Sequence, residues 1–175
     1  MIEIRVVGAE DWRIWRRVRL AALAGAPRAY RTRLAEWQGD GDREHRWRAR
    51  LDIPGARDLL ALHHGEPVGI ASGVPGPEDT AARVISMWVD PSARGLGVGD
   101  LLLTTVERWA AECGYTTLRL GVFADNEPAI ALYRRNGFEF ETAPGEDAER
   151  LRRTDLDSDD RVELVMVKAV VPARR

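Results

Sequence analysis

The sequence predicts a mixed α/β sheet domain whose second half runs β–α–β–α–β. Three observations carry that prediction. The apolar run Val84-Ile85-Ser86-Met87-Trp88-Val89 stops at Asp90-Pro91 and passes through an arginine and three alternating glycines into a helical pattern from Leu101. A second strand-like run, Thr116 to Phe123, leads into Asn126-Glu127-Pro128, which has the chemistry of a helix start. The N-terminal part alternates apolar and charged residues over Ile2 to Val7 and again pairs two apolar runs around residues 59–73.

Taken in order, Ile2 to Val7 reads as a first strand. Asp11 to Leu23 places Trp12, Trp15, Val18, Leu20 and Leu23 near helical spacing. Gly25-Ala26-Pro27-Arg28-Ala29-Tyr30 interrupts that helix, because proline removes a donor and restricts the residue before it. A second helix is expected over Asp42 to Leu51, after Gly39-Asp40-Gly41. Leu59 to His64 and Pro67 to Gly73 read as a hairpin with Gly65-Glu66 as its two-residue turn. Pro75 to Asp79 is a loop, and Ala82 to Val89 the next strand. After the glycine turn, Leu101, Leu102, Val106, Trp109 and Ala110 share a helix face, and Gly114 stops that helix. The strand Thr116–Phe123 precedes a short helix to about Arg135, which Asn136-Gly137 closes; Phe138 to Glu141 opens another strand. Residues 143–161 are acidic and polar and read as a loop, most simply a solvated one, or one that attracts a cationic amine. Val162 to Val170 is the last strand.

A chain of 175 residues, 45% hydrophobic and 31% charged, suits a single folded domain with a substantial core. The net charge of -2 gives no reason to expect nucleic acid or an anionic membrane as partner. The lone Cys113 excludes an internal disulfide and a cysteine-rich metal cluster and is expected to be a buried, inert thiol. Lys168 is the single lysine among 26 basic residues, a bias of the bacterial, GC-rich kind rather than a chemical signal. No apolar signal-peptide core follows Met1 and no apolar run reaches membrane-spanning length, so a cytoplasmic protein is expected. His63 and His64 have no third ligand nearby, so no metal is expected. Trp12, Trp15, Trp37 and Trp47 read mostly as helix core, with one or two available to an aromatic pocket.

The segment Arg94-Gly95-Leu96-Gly97-Val98-Gly99 between strand and helix is the geometry that offers bare main-chain N–H groups to an anion, although glycines also suit a plain tight turn. A nucleoside-triphosphate loop needs a lysine that is absent here. A dinucleotide fingerprint needs a third glycine where Asp100 stands, and an acidic side chain there would repel a pyrophosphate.

A second constellation decides the anion. Arg94, Gly97 and Gly99 match an Arg/Gln-x-x-Gly-x-Gly/Ala pattern, and Asn126, Ala129, Leu132, Tyr133, Gly137 and Phe138 match Asn-x-x-Ala-x-x-Leu-Tyr-x-x-x-Gly-Phe. With both motifs in this order, the chain resembles the GNAT superfamily of N-acetyltransferases, sharply over residues 82–140 and loosely elsewhere. The resemblance implies a mostly antiparallel twisted sheet splayed between its fourth and fifth strands and flanked by helices. It divides the single domain into an acceptor-side half (1–80), an acetyl-CoA-binding core (81–142) and a loop with the C-terminal strand (143–175).

The resemblance also implies the chemistry. Acetyl-CoA is the cosubstrate, with its pyrophosphate on the amides of Arg94, Gly95, Leu96, Gly97, Val98 and Gly99 and on the Arg94 side chain. Backbone N–H groups near Trp88 and Val89 polarise the thioester carbonyl. Tyr133 holds the position of the family's proton donor to the CoA thiolate; a phenol with a pKa near ~10 is protonated at neutral pH. Asn126 serves as helix cap, cofactor contact or both. The fourth strand carries no carboxylate where many members place a base. Asp90 reads as a turn cap, Ser86 as a position for a water, and Glu36 as an alternative base. The acceptor is a small-molecule or peptide amine that the sequence does not name, and a homodimer is raised by the resemblance alone. A non-catalytic acyl-CoA-binding module of the same fold, and transfer of a longer acyl group, are the competing readings.

Overall fold

The computed structural model describes residues 1–141 and 162–173. The expected acidic loop at 143–161 lies outside the described residues. The strands are β1 (Ile2–Val7), β2 (Arg57–His63), β3 (Glu66–Pro75), β4 (Ala81–Val89), β5 (Thr117–Phe123), β6 (Glu139–Phe140) and β7 (Glu163–Ala169). The helices are α1 (Trp12–Gly25), α2 (Glu44–Arg50), α3 (Val98–Glu112) and α4 (Glu127–Arg135), and short 3-10 turns cover Leu34–Trp37, Gly39–Gly41 and Pro91–Ala93. No helix among the described residues is long and apolar enough to cross a membrane.

The strands form one sheet in the order β1-β2-β3-β4-β5-β7-β6. All neighbours are antiparallel except β4 and β5. These two pair only over Ala81–Arg83 and Thr117–Arg119, at the start of each strand. Beyond Arg83 they diverge, and the resulting wedge positions the site.

Helices cover both faces. α3 and α4 pack on one face with Leu59 and Ala61 of β2, whereas α1 and α2 pack on the other with Leu60 and Leu62. Coverage on both sides explains why β2 and β3 are nearly continuous apolar runs rather than alternating ones. Trp15, Val18, Ala22 and Leu23 form the buried stripe of α1, and Val98, Leu102, Val106 and Trp109 that of α3. Trp15 and Trp47 are fully buried in the α1–α2 core, with Trp12 and Trp37 packed at its margin.

Two local expectations need correction. The hairpin turn is His64-Gly65, one residue earlier than expected; both residues have positive φ (51° and 79°), the twist that a two-residue hairpin requires. Cys113 is exposed, not buried, because it caps the last turn of α3 beyond the stripe that ends at Trp109 and Ala110.

Candidate active site

The wedge between β4 and β5 opens into a cavity of about 1040 Å³. Its walls are Val84–Val89 of β4, Ala93–Gly95 and Gly97–Asp100 around the glycine turn, Leu120–Val122 of β5, one face of α4, and the segment Ala26–Tyr30 that follows α1.

The floor is the glycine turn. Asp90 ends β4, and its carboxylate accepts from Ser92 N (2.9 Å) and Ser92 Oγ (2.7 Å), which holds the 3-10 turn and keeps the carboxyl below its ordinary range. A carboxylate engaged this way is a turn cap. Gly95 and Gly97 then take left-handed φ of 82° and 78°, with open space where a side chain would stand. Gly97 is the N-cap of α3, so the first-turn amides of that helix, which have no intrahelical acceptor, face the turn. Arg94 is exposed on the cavity wall. Gly99 serves a different purpose: a β-carbon there would lie 2.9 Å from Leu132 Cδ2, so its absence lets α4 approach α3.

Asp100 lies in the first turn of α3, but its charge is not left facing the turn. Arg135 donates to both carboxylate oxygens at 3.0 and 3.1 Å, and Asn136 Nδ2 adds a third bond at 2.9 Å. Repulsion of a phosphate by a bare Asp100 is therefore the weaker part of the case against a dinucleotide, and the spacing of the glycines is the stronger.

Tyr133 of α4 lines the cavity and is 7% exposed. Its ring packs edge-on to Phe138 with centroids 6.0 Å apart. Burial, with a smaller contribution from Tyr30, pushes its phenol well above the ordinary value, so the hydroxyl is protonated across the neutral range. Asn126 also lines the cavity and accepts from Ala129 N at 3.4 Å as the cap of α4.

Strand alternation decides which main-chain groups look into the wedge. Asp90 N donates to Val68 O, and the Trp88 carbonyl lies against Gly69, so Asp90 N–H and the Trp88 main chain face β3. The main chain of Val89 and the carbonyl of Met87 therefore face the cleft. In agreement, Met87 O accepts from the hydroxyl of Tyr30, a cavity residue, at 2.8 Å.

The base candidates part company. Ser86 lines the cavity, but its Oγ already accepts from Arg50 Nη2 at 2.9 Å. A hydroxyl beside a guanidinium is no base, although it can still hold a water. Glu36 is not among the cavity residues. It is exposed, and its carboxylate accepts from Arg33 N at 2.6 Å, capping its own 3-10 turn. Among the described residues, the carboxylates on the cavity wall are Asp100 and Asp125, paired with Arg135 and Arg28. None of the four N-terminal tryptophans lines the cavity. No cluster of His, Cys, Asp or Glu among the described residues could hold a metal ion. Tyr30 and Arg50 escaped the sequence reading; the one available signal was an aromatic residue stranded in the Gly25–Tyr30 break.

The acetyltransferase (GNAT) family pattern matches residues 24–138 of this chain. An aminoglycoside N(6′)-acetyltransferase type 1 from Stenotrophomonas maltophilia is 31% identical over 130 residues, 70% of this chain and 85% of that protein. An IAA acetyltransferase from Azospirillum brasilense is 35% identical over 88 residues, which are half of this chain and 58% of that protein. The chain thus spans little more than half the length of this second relative. In three dimensions, an acetyltransferase of the GNAT family from Streptococcus pneumoniae shares the fold with a TM-score of 0.74 at 18% identity, over 97% of this chain and 99% of that one. The chain belongs to the GNAT acetyltransferase family, with a seven-stranded mixed sheet opened between β4 and β5.

Proposed function

We propose that this chain transfers an acetyl group from acetyl-CoA to a primary amine of a small molecule or peptide by direct attack. One observation carries the reading: the glycine turn, the open edge of β4 and the hydroxyl-bearing ring of Tyr133 line a single cavity. The residues fit the cosubstrate. The turn is uncovered above Gly95 and Gly97, Arg94 adds a cation, and the acidic neighbour Asp100 is neutralised by Arg135. Bound there, acetyl-CoA would supply an activated acetyl thioester.

In this reading the amides from Arg94 to Gly99 hold the pyrophosphate. The cleft-facing N–H groups of β4 donate to the thioester carbonyl and stabilise charge that develops on its oxygen. Tyr133 keeps a proton available for the departing thiolate. Asn126 fixes the start of α4 and so places Tyr133 about two turns along the same helix. With Asp100 and Asp125 both ion-paired, the amine reaches the thioester neutral or loses its proton through water, for which Ser86 offers a site. The relative named for an aminoglycoside nitrogen supports a small amine-bearing acceptor.

The paired carboxylates are also what an acyl-CoA-binding module without turnover would show, so the experiment separates the two. Thiol release from acetyl-CoA is followed with a panel of primary amines, alongside acetyl-CoA binding by calorimetry. Release with at least one amine, and an affinity lowered about tenfold in Arg94→Ala, is expected. Binding without release across the panel would favour the module, and an unchanged affinity in Arg94→Ala would remove the phosphate cradle.

A further inference from the structure

The cleft-facing part of β4 is held by side chains of the N-terminal half. β4 pairs with β3 in a register that shifts by one residue between Ile70–Trp88 and Ser72–Ile85, so Ser86 and Met87 together oppose Ala71. This is a β-bulge, a device that bends a strand and re-aims its groups. Ser86 adopts a φ of 54°. A non-glycine residue stays in that left-handed region only where its surroundings hold it there.

A guanidinium holds its side chain. Arg50, the last residue of α2, donates through Nη2 to Ser86 Oγ (2.9 Å) and Ser72 Oγ (3.0 Å), and through Nη1 to Asp58 Oδ1 (2.9 Å). Ser72 Oγ in turn donates to Asp58 Oδ1 at 2.6 Å. Asp58 and Ser72 are opposite each other in the β2–β3 register and are 3% and 0% exposed. The Arg50 guanidinium lies over the Trp15 ring, 5.1 Å from its centroid. One side chain thus spans β2, β3 and β4 and ends on the strained residue of the bulge. At the next residue, Tyr30 donates to Met87 O. The carbonyl of Met87 shares a planar peptide with the N–H of Trp88, so this bond fixes the Met87–Trp88 peptide directly beyond the bulge.

We propose that Arg50 and Tyr30 are positioning residues which, by holding Ser86 and Met87, aim the β4 main chain at the thioester carbonyl. This rests on the acetyl-CoA reading above. Arg50 acts through Ser86 and the bulge; Tyr30 acts through the Met87 peptide. Both come from the N-terminal half, so α2 and the segment after α1 tune how strongly the core polarises the thioester.

The test needs no identified acceptor. Acetyl-CoA carrying a 13C label at the acetyl carbonyl is bound to the protein, and the carbonyl stretch is read by infrared difference spectroscopy. The wild type is expected to lower the stretch relative to free acetyl-CoA. Arg50→Lys, Ser86→Gly and Tyr30→Phe should each lose about half of that shift or more, with acetyl-CoA affinity changed less than about threefold. Arg50→Lys keeps a cation beside Asp58. Ser86→Gly suits the left-handed φ, so it folds without strain. A purely structural network predicts the opposite for Ser86→Gly: a full carbonyl shift.

A full shift in both Ser86→Gly and Tyr30→Phe overturns the proposal, whether or not Arg50→Lys folds. Wild-type binding with no shift overturns the polarising role of β4 and the proposal with it. Failure of the wild type to bind acetyl-CoA overturns the functional reading itself.

Discussion

Arg135, the last residue of α4, holds Asp100 in the first turn of α3 through both carboxylate oxygens, at 3.0 and 3.1 Å. Asp100 follows the N-cap Gly97 by three residues, where an acidic side chain competes with a bound anion for the same helix N-terminus. Arg135 cancels that competition and ties α4 to α3. Both side chains are substantially exposed, so the pair contributes little to folding and mainly adjusts the potential at the turn. Arg135→Ala is expected to weaken acetyl-CoA binding about five- to tenfold by leaving Asp100 bare. Adding Asp100→Asn to that variant should restore most of the affinity, with little change in Tm throughout. Calorimetric titration of the single and double variants checks this. Equal affinities in wild type and Arg135→Ala would show that Asp100 is already out of reach of the phosphates.

A second ion pair sets an acid limit on stability. Arg16 Nε of α1 donates to Asp42 Oδ1 at 2.7 Å, and Trp47 Nε1 of α2 donates to the same oxygen at 2.8 Å. The Arg16 bond first, then that of Trp47, holds the Asp42 carboxyl down to about 2 from an ordinary 3.8. The folded value is the lower one, so the stabilisation is complete above about pH 4 and is lost as pH falls toward about 2. Tm measured across that window should drop more steeply in the wild type than in Asp42→Asn, and the variant should be less stable at pH 7. Parallel curves would show that the α1–α2 junction does not depend on this charge.

The second half of the fold was legible because its punctuation is local. Asp90-Pro91, the paired glycines, Gly114, Asn126 with Pro128, and Gly137 each act within a few residues of themselves, and the structure uses each as a turn, stop or cap. The insertion of β7 between β5 and β6 was not legible, since strand order depends on pairing across the chain. The hairpin turn slipped by one residue because His64 tolerates a positive φ that composition alone assigns to glycine. Within the cavity, the glycine turn was marked by its own local composition and Tyr133 by the resemblance, and both line the wall. Tyr30 and Arg50 were not marked: they meet Met87 and Ser86 across 57 and 36 residues, and nothing in their neighbourhood marks the partner. Glu36 shows a second effect of folding that local sequence does not mark. In sequence it is a free carboxylate near the acceptor side, but folded it bonds the main chain of Arg33.

Tyr133 supplies the sharpest test of the chemistry. Burial raises its phenol above the ordinary 10, because a phenolate in that wall would be poorly solvated. The sign matters in two ways. The hydroxyl is protonated throughout the neutral range, so loss of activity below about pH 10 is not expected to report Tyr133 ionisation. The proton also leaves only when a strong acceptor, the developing thiolate, is placed against it. Tyr133→Phe keeps the ring against Phe138 and removes only the hydroxyl, so the fold and the acetyl-CoA affinity should be nearly unchanged. Turnover with the best amine of the panel is expected to fall about a hundredfold, or roughly 2.7 kcal/mol in the barrier. Steady-state kcat and the calorimetric Kd for acetyl-CoA, measured together on wild type and variant, separate the two effects. Full turnover in Tyr133→Phe would assign the proton to water, whereas equal losses in affinity and turnover would make Tyr133 a packing residue of the α4 wall.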